Sequence, residues 1–165
     1  MTAYGTDPGF EAWLESVGVT DFPSSADTVV SRTNGSDYID AVYGARFKGR
    51  PTGGVEQLRA WPRTGVLLYG QAIPQDVVPV GITVAAYRAA YLIETGQIVL
   101  GASAAAGTRI KRQKVDGAAE REFFADRAPD IGRIGVQLDP IIDGLLAPYL
   151  IPVSEGLQGI WVVGR

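Results

Sequence analysis

The 165-residue chain has no cysteine, no histidine and a single methionine. Without thiols and imidazoles there is no thiolate nucleophile, no Ser-His-Asp triad, no disulfide and no zinc site of the Cys/His kind. Long apolar runs are missing as well. The longest apolar-rich stretch without charge, Val77 to Tyr87, stops at Arg88 and is too short to span a bilayer, so no membrane partner is expected. The opening residues, MTAYGTDPGFEAWLES, are acidic and lack an apolar core, so no signal peptide is expected. A strong basic balance is also lacking. The net charge of −3 and a pI near 4.9 argue against a chain that grips polyanions over its whole surface.

What is present fits one folded domain. The length suffices for a sizeable core, and 46% hydrophobic with 20% charged residues is ordinary for a globular protein. Twenty-one glycines and ten prolines predict many turns between helices. Charge is unevenly placed. Residues 1–43 carry seven acids and one arginine, net −6, whereas residues 44–63 carry five bases and one acid, net +4. Residues 107–134 carry seven bases and five acids, net +2. Opposed charge blocks let one copy meet another head to tail, a heterologous contact that builds rings or filaments.

Periodicity predicts four helices. In DPGFEAWLESVG, Asp7 is the expected N-cap, Pro8 suits the first turn, and Phe10, Trp13, Leu14 and Val17 form one face before Gly18. In PSSADTVVSRTNGSDYIDAVYG, Ser24 and Asp27 resemble a capping box. There Val29, Arg32, Ser36, Ile39 and Tyr43 share a face, and Gly35 permits close packing within a continuous helix ending at Gly44. Residues 45–75 hold no lasting period, with a short helical turn expected around Val55 to Ala60 and an extended piece at VLLYG. PQDVVPVGITVAAYRAAYLIETG is the strongest signal, a central helix with a stripe of Val80, Val84, Tyr87 and Tyr91 widened by Ala86, Ala89, Ala90 and Ile93. Pro79 belongs in its first turn and Gly96 at its end. LGASAAAGT reads as a link, and the Asp116-Gly117 pair predicts a β-hairpin from about Arg109 to Phe124. LDPIIDGLLAPYL is a last short helix capped by Asp139, and the tail from Ile151 to Arg165 reads as apolar and extended. With Ile160 and Trp161 it must lie on the domain's own core or on a partner. The fold class is therefore mainly α: a small bundle of about four helices with a β-hairpin, long Gly/Pro-rich loops and an extended C-terminal tail.

Few side chains suggest chemistry. Asp37 with Asp40, and Asp139 with Asp143, have helical spacings that allow acid–base work or a hard cation, but a solvated helix face plus an N-cap accounts for them. GARFKGRPT is not a Walker A loop. No nucleophile–base or metal constellation can be assembled, so an enzyme has the least support and no cofactor is expected. Arg46, Phe47, Lys48, Arg50, Arg59, Trp61 and Arg63 mix cations with aromatics, as a single-strand binder needs. The alternative is that Phe47 and Trp61 anchor the core while the cations meet carboxylates of the same or a neighbouring subunit. Arg109, Lys111, Arg112 and Lys114 suit either phosphate contacts or cross-strand pairs with the acids that follow.

SDYIDAVYGARFKGRPT, LRAWPRTGV, IPQDVVPVGITVAAYRAA and IKRQKVDG together resemble a phage family with an A-S-x-Y-I-D … Y-G-x-x-F-x-G segment, a Q-x-L-x-W-P-R segment, and I-P … V … A opening a long helix. Trp61-Pro62-Arg63 with Tyr38-Ile39-Asp40 and Tyr43-Gly44 is specific in combination. The likeness covers roughly residues 30 to 150. Gly35 stands where that family more often has alanine, residues 97–106 are unusually Ala-rich, and the tail lies outside the pattern. Such proteins are often labelled DnaT-like single-stranded-DNA-binding proteins, yet they are encoded among head and neck genes and are similar to head–tail connector adaptors.

The resemblance implies a structural virion protein at the head–tail interface, assembled in the host cytoplasm. It would form a homo-oligomeric ring, usually of twelve subunits, docked on the portal protein and joined to the next neck (stopper) or tail protein. Double-stranded DNA would pass through without sequence-specific contact. Residues 1–150 would be the single adaptor domain with the 109–124 hairpin inserted, and 151–165 the tail. On this reading Arg46, Lys48, Arg50, Arg63, Arg109, Lys111, Arg112, Lys114, Ile160 and Trp161 are candidate subunit or portal contacts. Trp13, Ile39, Tyr43, Trp61, Tyr87 and Tyr91 are candidate core residues. A single-stranded-DNA-binding protein is the alternative, and it predicts salt-sensitive oligonucleotide binding lost on replacing Trp61 or Arg63.

Overall fold

The computed structural model describes residues 3–23, 25–98 and 138–152. Four helices and two small antiparallel strand pairs make up the described chain: α1 (Asp7–Ser16), α2 (Thr28–Tyr43), β1 (Arg50–Pro51), β2 (Arg63–Thr64), β3 (Leu67–Leu68), β4 (Gln71–Ala72), α3 (Val80–Glu94) and α4 (Pro140–Leu146). The mainly helical class and the four helices agree with the periodicity. The strand pairs lie within 50–72, β1 against β2 and β3 against β4. The hairpin of 109–124, Ser24, the Ala-rich link and the tail beyond residue 152 lie outside the described residues.

Helix ends corrected several expectations. Thr6, not Asp7, caps α1, accepting from Gly9 N at 3.2 Å, and Asp7 instead pairs with Arg32 at 2.7 Å. Asp27 caps α2, accepting from Val29 N and Val30 N. Pro79 is the N-cap of α3 rather than part of its first turn. Each apolar stripe was drawn one residue too far: Val17, Val29 and Val80 are all exposed. Each sits at a helix end, before or after the turns that reach a neighbour. The short turn expected at Val55 to Ala60 is a 3-10 turn at Gly54–Glu56, and VLLYG contains β3.

The core is built on α3, which packs against α2, α4 and α1. One side carries Ile82, Ala85, Ala86 and Ala89 into the main cluster with Tyr4, Ile39, Tyr43, Phe47, Trp61, Ile142 and Leu146. Tyr87 and Ala90 meet Phe10 and Leu14 of α1 in a second cluster, against which the half-buried Trp13 and Tyr91 pack. Gly35 does allow close packing. A Cβ there would lie 2.3 Å from Ala86 O and 2.9 Å from Ala90 Cβ, so hydrogen at this position and alanines opposite set the α2–α3 spacing.

Two polar seams tie distant segments to this frame. The segment before α1 is held by Tyr4 N donating to Ser36 Oγ at 2.9 Å and by Arg32 donating to Gly5 O at 3.0 Å. The Tyr87 hydroxyl accepts from Thr6 N at 2.9 Å and donates to Thr6 O at 3.1 Å. The α4 segment is fixed by Arg88 on Asp139, by the Tyr43 hydroxyl donating to Asp143 at 2.5 Å, and by Lys48 Nζ donating to Pro148 O at 2.8 Å.

Candidate interaction surface

The basic arm between α2 and α3 turns most of its aromatics and two of its five cations inward. Trp61 and Phe47 are 0% and 2% exposed and meet edge-on at 5.8 Å between ring centres, with Tyr149 edge-on to the other side of the cluster. Arg63, 7% exposed, donates to the backbone oxygens of Lys48, Ala60, Phe47 and Gly49 at 2.8 to 3.3 Å. It was expected as a subunit or portal contact; here four of the five donors of its planar fork are taken by converging backbone carbonyls. Burial lowers the pKa of this guanidinium, which is nonetheless charged at any ordinary pH.

Arg59 is equally buried and pairs with two carboxylates of α2, Asp37 at 2.5 Å and Asp40 at 3.3 Å. Asp40 also accepts the Tyr4 hydroxyl at 2.5 Å, and that hydroxyl in turn accepts from Trp61 N at 3.1 Å. Burial pushes the Asp40 carboxyl above the ordinary aspartate range, against the opposing pull of Tyr4, the Ala60 backbone and Arg59. Burial, then the Asp40 hydrogen bond, push the Tyr4 phenol far above its usual value, so the hydroxyl stays neutral and available as donor and acceptor. The solvated-face reading of the aspartate pairs therefore fails for Asp40 and Asp143, each half-buried and bonded to a tyrosine. Asp37 is 60% exposed on its side chain while it pairs with Arg59, and Asp139 is indeed the cap of α4.

Arg46, Lys48 and Arg50 differ from this pair. Arg50 is exposed, Arg46 and Lys48 are half-buried, and none makes an ion pair among the described residues. Beyond them the chain exposes apolar side chains: Val55 98%, Leu58 80%, Leu67 61% and Tyr69 87%. Tyr69 is the tip of the β3–β4 hairpin and has φ +50, the only non-glycine with positive φ among the described residues. Sequence reasoning missed it, because VLLYG reads as an extended piece and a tyrosine is not among the residues that mark such a turn. The other candidate contacts, Arg109, Lys111, Arg112, Lys114, Ile160 and Trp161, lie outside the described residues. Of the candidate core residues, Ile39, Tyr43, Trp61 and Tyr87 are buried, and Trp13 and Tyr91 are half-buried. No group of three or more acidic side chains gathers to hold a metal among the described residues, and no helix there is long and apolar enough to cross a membrane.

These features define a small helical protein with an internally braced arm that displays Arg50 and bare apolar side chains. Residues 3–163 match the model of the family described as "Putative DnaT-like ssDNA binding protein", and the chain belongs to that family. The match extends beyond the 30–150 span of the motifs at both ends and takes in most of the C-terminal tail. Neither the curated proteins nor the solved structures contain a match to this chain.

Proposed function

We propose that this protein is a structural adaptor of the phage neck, forming a ring that docks on the portal and joins head to tail around the DNA channel. One observation supports the reading: both rings of 46–63, Phe47 and Trp61, and two of its four arginines, Arg59 and Arg63, are turned into the protein. Stacking on bases needs an open π-face, and phosphate tracking needs free guanidinium groups. Phe47, Arg59, Trp61 and Arg63 offer neither, whereas the arm displays uncharged apolar groups suited to another protein. Arg46, Lys48 and Arg50 would then meet carboxylates of a neighbouring subunit or of the portal. The reading also accounts for a chain with no evident catalytic constellation.

The family description favours a second reading, single-stranded DNA binding. In this chain the phosphate contacts would fall to Arg46, Lys48 and Arg50, and affinity would drop steeply with salt. Native mass spectrometry of the protein mixed with its cognate portal ring, with and without a single-stranded oligonucleotide, separates the two. Stepwise addition to a full complement, indifferent to the oligonucleotide, is the expected result. Oligonucleotide on the free protein and no mass added to the portal would overturn the adaptor reading.

A further inference from the structure

The segment before α1 lies along a polar ridge of α2. Arg32, Ser36 and Asp40 recur every fourth residue, so they stand one above another on the helix. All three turn to residues 3–7. Arg32, 8% exposed, donates to Gly5 O at 3.0 Å and pairs with Asp7; Ser36, fully buried, accepts from Tyr4 N; and Asp40 accepts from the Tyr4 hydroxyl. Tyr87 of α3 closes the other side with its hydroxyl on Thr6 N and Thr6 O, and a Cβ at Gly5 would lie 2.0 Å from that hydroxyl. Apart from the buried Ala3 and the buried ring of Tyr4, this strap is held by hydrogen bonds and one ion pair, contacts that water can take over when the strap leaves.

Tyr4 passes the docking of the strap on to the arm. Its hydroxyl accepts from Trp61 N at 3.1 Å, and the Arg59 guanidinium stands 5.9 Å from the centre of its ring. Asp40 holds Tyr4 with one oxygen and Arg59 with the other. From residues 59–62 the connection runs outward through Gln57. The side-chain amide of Gln57 donates to Arg59 O at 2.7 Å and to Pro62 O at 2.9 Å, and its Oε1 accepts from Gly53 N at 2.8 Å. Gly53 and Gln57 bracket the 3-10 turn that exposes Val55, and the exposed Leu58 follows. The loop that shows these apolar side chains therefore stands on a backbone segment that itself rests on Tyr4.

We propose that residues 3–7 are a releasable latch for the 53–58 loop. With Tyr4 docked, the loop keeps the form in which Val55 and Leu58 are displayed; with the strap withdrawn, the segment beneath the loop loses its footing and the display loosens. The device has two coupled ends. By reciprocity, a partner protein that grips the displayed loop tightens the strap, and one that draws the strap away loosens the loop. The coupling stands apart from the adaptor reading and does not depend on which partner the loop meets.

Amide hydrogen exchange of the full-length protein, resolved by residue with NMR, is the test. Tyr4→Phe keeps the ring and removes the hydroxyl. Arg32→Gln loosens the strap at its other end, since the hydrogen bonds of Arg32 go to Tyr4, Gly5 and Asp7 and to no residue of the arm. Ser36→Ala removes the acceptor of Tyr4 N and is a milder release of the same kind. Tyr43→Phe is the comparison, because it removes a tyrosine–aspartate bond of the same length on the α4 side and so corrects for a general loss of stability. The amides of Trp61 and Gly53 should exchange about tenfold faster in the strap variants than in Tyr43→Phe, on the order of the change that one lost hydrogen bond produces. Faster exchange at Gly53 in Arg32→Gln is the decisive result, because that substitution acts on the strap and is read in the loop. Arm amides that speed up no more than in Tyr43→Phe, or a Gly53 rate unmoved by both Arg32→Gln and Ser36→Ala, would overturn the latch.

Discussion

The hydroxyl of Tyr4 donates to Oδ1 of Asp40 at 2.5 Å, joining two residues that lie 36 positions apart. It does so while accepting from Trp61 N, so one oxygen satisfies α2 and the arm together. Replacing Tyr4 by Phe keeps the ring and removes both bonds. Trp61 N then loses its partner in a fully buried place, and Asp40 retains only Arg59 and the Ala60 backbone. The expected loss is about 2 kcal/mol in urea denaturation, the cost of stranding buried polar groups. A Tyr4→Phe variant as stable as the parent would show that the seam contributes nothing.

Asp139 gives stability a pH dependence of known sign. It accepts from Arg88 Nε at 2.8 Å and from a second Arg88 nitrogen at 2.9 Å, and it caps α4 through Ile141 N and Ile142 N at 3.0 Å. The Arg88 hydrogen bonds come first among the causes that hold its carboxyl below the ordinary value. A depressed carboxyl contributes stability that is fully present above its unfolded pKa, near 3.9, and is lost as pH falls through the lower folded value. Asp139→Asn keeps a capping oxygen and should cost about 1 kcal/mol at neutral pH, whereas Asp139→Ala, losing cap and pair, should cost about 2 kcal/mol. The gap between parent and Asp139→Asn should close below pH 4 or so. A gap that persists unchanged in acid would assign it to something other than the ion pair.

Gly35 tests the spacing of the two central helices. Alanine favours helix over glycine by up to about 1 kcal/mol, so an unpacked Gly35→Ala would stabilise the protein. Here the new methyl would lie 2.7 Å from Ala90 N and closer still to Ala86 O, both backbone atoms that cannot swing away. Overpacking should win, with a net loss of about 2 kcal/mol and a lower melting temperature. Gain of stability on Gly35→Ala would mean that α2 and α3 are further apart than described.

Two arginines thirteen residues apart should behave as opposites. Arg63→Lys substitutes one point charge for a fork that holds four carbonyls, and about 2 kcal/mol of stability should be lost even though the charge is kept. Arg50→Glu alters an exposed residue with no ion pair among the described residues and should change stability by no more than about 0.5 kcal/mol. In assembly the order reverses: charge reversal of Arg46, Lys48 and Arg50 together should abolish ring formation on the portal in native mass spectrometry. Rings that survive the triple reversal would remove these cations from the interface.

The helices were legible because their periods and punctuation were strong: Asp139-Pro140, Gly35 facing alanines, and Gly96 after α3 each sit where elementary rules put them. Trp61 as a core residue was legible too, since a tryptophan flanked by proline in an apolar setting favours burial. The side of α3 that faces α2 was harder to see. Alanines surround the helix on both sides, so the stripe took in Val80, which is exposed, along with the buried Ala86, Tyr87, Ala89 and Ala90, and missed Ile82 and Ala85. Arg63 was misjudged because a sequence shows a cation's charge but not the carbonyls that converge on it. Those carbonyls come from Phe47, Lys48, Gly49 and Ala60, and only the β1–β2 pairing brings most of them around the side chain. Tyr69 was overlooked because exposure and backbone sign are properties of the folded turn.

The grip of Arg63 is on main-chain oxygens, which every residue type has alike. The path of the chain through Phe47, Lys48 and Gly49 is therefore held from inside by one guanidinium, while the exposed side chain of Arg50 carries no share of that work. The charge displayed at position 50 can therefore be changed without redrawing the loop that displays it. Recognition and architecture are stored in separate residues, and the first can drift while the second stays put.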